Sequence, residues 1–144
     1  MHWNPDLETG IPIVDKQHKA MFDRLEMLLD KNHRNRVPET LAFLGEYAVR
    51  HFGCEELMMR TSKFPDTERH ARIHGEFIAK YKALKQEYDK DGEDMLALMK
   101  LTSFINGWMC DHIMIQDKKF AEYFKKSRFM DGKNAFPPDV PHSA

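Results

Sequence analysis

Two pairs of side chains stand four residues apart in a pattern that suits metal binding: His51-x3-Glu55 and His70-x3-His74. On a helix, residues with this spacing share one face, with β-carbons about 5–6 Å apart, close enough to hold one ion or a pair. Imidazoles with few carboxylates suit iron, zinc or copper and argue against magnesium or calcium. A carboxylate also bridges two metals through its two oxygens. A lone histidine on an apolar stripe is normally a hydrogen-bonded core residue, and a structural zinc site normally closes with four ligands. This chain offers more donors than either reading needs.

The elements that must carry these donors follow from the apolar period. Residues 1–14, with Pro5, Gly10 and Pro12, form an arm without helical period. With Asp15 as N-cap, a first helix runs from Lys16 to about Asn32, and His18, Phe22, Leu25 and Leu29 make its stripe. Pro38 and Glu39 open a second helix, whose stripe is Leu41, Leu44, Ala48, His51, Glu55 and Met58, ending before Phe64-Pro65. Asp66 or Thr67 caps a third, running to about Tyr88 with His70, His74, Phe77, Tyr81, Leu84 and Tyr88 on one face. After a turn at residues 89–92, a fourth starts near Glu93 and carries Met95, Leu98, Leu101, Ile105, Trp108 and His112. The pattern fades past Phe124. Short connections make neighbours antiparallel, which predicts an all-α, up-down-up-down four-helix bundle over residues 1–126, with a proline-bearing tail over 127–144.

His18, His51, Glu55, His70, His74 and His112 therefore all point into the core. Burying each without a partner costs roughly 1–3 kcal/mol, more for a charge. His18 lies 18 residues before Arg36 and His51 15 after it, while Glu55 lies ten before Pro65 and His74 nine after it. At about 1.5 Å of rise per residue, the six groups meet in one layer near one end. Asp117 is five residues past His112, about 140° around a regular helix, so periodicity places it on the surface unless the fourth helix breaks or bulges between them.

The 144 residues, 17.0 kDa in all, fit one domain. Lys+Arg 22 against Asp+Glu 23 leaves no field for nucleic acid or an anionic membrane. The N-terminus has no basic-then-apolar leader, and no run approaches the ~18 apolar residues of a membrane span, which predicts a cytoplasmic protein. Cys54 and Cys110 are expected to be buried free thiols, with Cys54 turned about 100° from Glu55. His2, His33 and His142 fall outside the layer and are expected at the surface.

Four segments carry a family pattern: residues 9–18 (Thr-Gly-Ile-Pro-Ile-Val-Asp-Lys-Gln-His), His51-Phe52-Gly53-Cys54-Glu55-Glu56, His70-x3-His74-x2-Phe77, and Trp108-x3-His112-Ile113-x3-Asp117. The chain resembles the hemerythrins, the bacterial single-domain kind in particular, over about residues 3–120. That resemblance implies two iron ions with an oxo or hydroxo bridge. It assigns His70, His74 and His112 to one iron, His18 and His51 to the other, and makes Glu55 and Asp117 bridges, reversing the surface expectation for Asp117. One position on the iron of His18 and His51 then stays open for dioxygen, stored as a hydroperoxide. An apolar pocket of Phe22, Phe52, Phe77, Trp108, Met109 and Ile113 would exclude water. Met109 departs from the leucine usual in the family at this place, and a thioether is more flexible and oxidisable.

The function this implies is reversible oxygen binding by a monomer, for storage, buffering or delivery to an oxygen-using enzyme, without catalysis. The alternatives are a sensor of oxygen, redox state or nitric oxide, for which no output domain is apparent, and a di-iron oxidase or peroxidase. Oxygen-activating ferritin-like bundles use four glutamates and two Glu-x-x-His motifs, a more anionic set than this one.

Overall fold

The computed structural model describes residues 3–90 and 94–127. Four helices, α1 (Pro12–Met27), α2 (Val37–Thr61), α3 (Thr67–Lys90) and α4 (Met95–His112), pack α1 on α2, α2 on α3, α3 on α4 and α4 back on α1. This is the antiparallel up-down-up-down bundle. A five-residue π turn (Ile113–Asp117) continues α4 into a short α5 (Lys118–Lys125). No described helix is long and apolar enough to cross a membrane. The expected tail, His2 and His142 lie outside the described residues, apart from Ser127 at the tail's start.

The first helix begins earlier than periodicity predicts, because Pro12 opens it and Asp15 lies inside its first turn. Asp15 is consequently not an N-cap. Its carboxylate reaches back to the arm, accepting from the Thr9 backbone at 2.8 Å, the Thr9 hydroxyl at 2.7 Å and the Gly10 backbone at 3.0 Å. Gly10 adopts φ +88°, a left-handed conformation that suits glycine, and this lets the arm fold back over the helix start. At its other end α1 stops at Met27, so Leu28 is buried and Leu29, expected on the stripe, is 49% exposed. The chain there tightens into a 3-10 segment, Lys31–Arg36, introduced by the Asp30 carboxylate accepting from the Asn32 backbone.

The Leu41-to-Met58 stripe of α2 is buried throughout. Lys63, at φ 60°, ends the helix in a Schellman turn, with Phe64 N–H donating to the Met59 carbonyl and Lys63 N–H to that of Arg60. Every predicted inward residue of α3 is buried, and Tyr81 donates its hydroxyl proton to the Leu41 carbonyl on α2. On α4, Leu98, Leu101, Ile105 and His112 are buried, while Trp108 is half-buried and Met95, at the helix start, is 38% exposed. Cys54 is buried, but Cys110 is half-buried rather than enclosed. His33 is half-buried beside Asp30, 3.0 Å away, and remote from the inward histidines.

Candidate metal centre

The layer derived from turn positions exists. His18 on α1, His51 and Glu55 on α2, His70 and His74 on α3, and His112 on α4 all converge, none more than 6% exposed. Asp117 joins them at 1% exposure, against the surface expectation from periodicity. The π turn is the reason: its hydrogen bonds run between residues five apart, which stacks Asp117 over His112. Arg69 of α3 holds this turn from outside, donating to Gln116 Oε1 at 2.8 Å.

Two overlapping donor groups result. Glu55, His70, His74, His112 and Asp117 offer one atom each within 4.8 Å of one another, and so do His18, His51, Glu55 and Asp117. The Nε2 atoms of His70 and His74 each lie 3.1 Å from His112 Nε2. Asp117 Oδ1 is 3.0 Å from His112 Nε2 and 3.1 Å from His70 Nε2, its Oδ2 is 3.1 Å from His18 Nε2, and Glu55 Oε1 is 3.1 Å from His74 Nε2. His51 Nε2 stands farther off, 4.0 Å from Glu55 Oε2.

Two residues that sequence reasoning missed fix the rings. Gln17, fully buried, takes His51 Nδ1–H on its Oε1 at 2.7 Å, and Glu56 takes His74 Nδ1–H at 2.8 Å. Each is the sequence neighbour of a candidate ligand and stands within a family-pattern segment, the signals by which the sequence could have pointed to them. With Nδ1 committed outward, a neutral His51 or His74 ring presents the lone pair of Nε2 to the cluster. Both Glu55 oxygens and Asp117 Oδ2 are buried without a well-directed hydrogen bond among the described residues. Their short approaches to the rings are contacts that a multiply coordinated cation would satisfy together.

Electrostatics point the same way. Burial, with repulsion from His18, pushes His51 down to about 3 and keeps it neutral. Burial also opposes charge on His70, yet the Asp117 and Glu55 carboxylates outweigh it and raise His70 to about 9. Burial and mutual repulsion would raise the Glu55 carboxyl, but the His70 and His74 rings hold it below its ordinary range; burial would likewise raise Asp117, which His112, His18 and His70 hold well below. Positive charge beside these carboxylates favours their ionised forms. A proton on His70 supplies it without metal, and a metal cation is its natural replacement.

Of the expected pocket residues, Phe22, Phe52, Phe77, Met109 and Ile113 are buried in one apolar cluster, with half-buried Trp108 packed against it. Phe52 stacks on His74 (ring centroids 3.9 Å apart, 10° between planes) and Trp108 on His112 (4.3 Å, 11°). These two rings thus cover the three-histidine side. Cys54 turns away from the donors, accepting from Gln17 Nε2 at 3.9 Å.

A four-helix bundle with inward histidines and carboxylates in two overlapping donor sets defines a metal-binding bundle protein. The family described as "Hemerythrin HHE cation binding domain" matches residues 9–124, and the chain belongs to the hemerythrin family. It is 28% identical to the bacteriohemerythrin of Pseudomonas paraeruginosa over 129 residues, covering 87% of this chain and 82% of that one. It is 28% identical to the bacteriohemerythrin of Stenotrophomonas maltophilia over 126 residues (85% and 80%), and 29% identical to the myohemerythrin of Riftia pachyptila over 119 residues (82% and 88%).

Proposed function

We propose that this chain binds dioxygen reversibly at two iron ions held by His18, His51, Glu55, His70, His74, His112 and Asp117, as a cytoplasmic store, buffer or delivery protein rather than a catalyst. The observation that supports this most directly is the unequal sharing of donors: five protein groups serve one position and four the other, with Glu55 and Asp117 common to both. The position with fewer protein donors would keep a coordination place for a small ligand. Two iron ions held there would supply reversible two-electron chemistry, one electron from each.

The protein's part is to place and shield. Gln17 and Glu56 aim two rings inward, and the carboxylates of Glu55 and Asp117 would offset part of the metal charge. Phe52 and Trp108 seal the three-histidine side, and Phe22, Phe77, Met109 and Ile113 complete an apolar surround that keeps out water. A donor set of five imidazoles and two carboxylates carries less negative charge than the glutamate-rich oxygen-activating bundles, which favours holding oxygen over activating it.

The test is a visible spectrum of anaerobic, ferrous-loaded protein before oxygen, after oxygen and after purging. A charge-transfer band that comes and goes over repeated cycles supports reversible binding. A single passage to a stable diferric spectrum would overturn it in favour of sensing or redox turnover.

A further inference from the structure

The rings that face the cluster are backed by groups of different charge. His74 Nδ1–H meets the Glu56 carboxylate, which is 23% exposed, while His51 Nδ1–H meets the Gln17 carboxamide, which has no exposure. Gln17 Oε1 faces His51 while its Nε2 is directed toward Cys54 Sγ, 3.9 Å away. His18 Nδ1 and His112 Nδ1, one on each side of the cluster, are buried without a hydrogen-bond partner among the described residues. Glu56 against Gln17 is therefore a difference in charge between otherwise comparable hydrogen bonds.

Such a bond changes the ligand. A carboxylate draws the Nδ1 proton toward itself and makes the far nitrogen a stronger donor, and hydrogen bonds to an ionised acceptor are roughly twice as strong as neutral ones. Stronger donation stabilises the higher charge on a metal.

We propose that Glu56 and Gln17 are positioning residues that make the two metal positions inequivalent: the carboxylate behind His74 favours the ferric state on the three-histidine side, and the amide behind His51 leaves the two-histidine side easier to reduce. This deepens the two-iron reading and rests on it. Outer partners of ligating histidines typically change metal affinity by about 10–100-fold. A tenfold change in ferric over ferrous preference corresponds to about 59 mV in a one-electron couple.

The experiment is a mediated redox titration of the full-length, diferric-loaded protein, alongside Glu56→Gln and Gln17→Glu, with iron content measured for each. Each step adds one electron from the mediator to one ferric ion and yields a ferrous ion, with nothing leaving. Two steps are expected in the unaltered protein. Glu56→Gln should raise the lower step by about 59 mV or more with little change in the upper, whereas Gln17→Glu should lower the upper step; both narrow the gap, from opposite ends. Glu56 is partly exposed and its amide is isosteric, so that variant tests the idea even if a buried glutamate at position 17 impairs folding. Unmoved steps in a two-iron Glu56→Gln protein would overturn the proposal, as would equal displacement of both steps, which marks a charge acting through space. One iron and one step in the unaltered protein would overturn the two-iron reading itself, and the proposal with it.

Discussion

Asp117 Oδ1 lies 3.0 Å from His112 Nε2, although the two residues are five apart on one continuous helical path. The π turn between them amounts to one residue more than a regular turn would use. Removing one exposed residue from it, Ile115 (63% exposed), should leave His112 and Asp117 at an i, i+4 spacing that also shares a face. Iron content of the deletion variant should match the unaltered protein, while Asp117→Ala should lose iron; metal loss in the deletion variant would show that the wide turn itself is required.

His74 contacts Glu55, Glu56, His112 and Phe52. His74→Ala should reduce the iron bound per chain and bring the melting temperature of the loaded protein toward that of the metal-free one. Iron content measured on purified variant decides it, and an unchanged value would remove His74 from the ligand set.

The metal-free protein should be most stable near neutrality. His70, raised to about 9, contributes stability that is full below its ordinary value of 6.5 and lost as pH rises through 9. His51, pushed down to about 3, acts in the other direction: below pH 6.5 the unfolded chain takes up a proton that the folded chain refuses, so stability falls as pH drops toward 3. Glu55, depressed below its ordinary 4.5, adds a further loss beneath that value. Melting temperatures of chelator-treated protein between pH 4 and 10 should trace a maximum near 6.5, by the windows just given, and a monotonic curve would contradict them.

Asp15 ties the arm to α1 through three hydrogen bonds, two of them from the buried Thr9. Asp15→Ala leaves those donors unpaired and should cost roughly 2–3 kcal/mol, the scale of hydrogen bonds to charged groups. Urea denaturation measures it. A loss below about 0.5 kcal/mol, the range of ordinary surface changes, would mean that the arm is held by its apolar contacts instead.

The four helices, their antiparallel order and the meeting of six inward donors in one layer were legible in the sequence, because periodicity of 3.6 residues and short connections determine both face and height. His18, His51, Glu55, His70, His74 and His112 all lie where that reasoning puts them. Other features depend on contacts between elements far apart in sequence. The early start of α1 is stabilised by Pro12 and by a carboxylate that reaches back to the arm, so an acidic residue in N-cap style misleads. Asp117 resembles a known pattern, but only a local change of helical pitch, braced by Arg69, turns it inward. Gln17 and Glu56 sit about 100° from their neighbouring ligands along their own helices and meet His51 and His74 only because α1 packs on α2 and α2 on α3. Period and spacing set which face a residue occupies; which group stands opposite is decided by packing between helices, where a few ångströms separate a hydrogen bond from none.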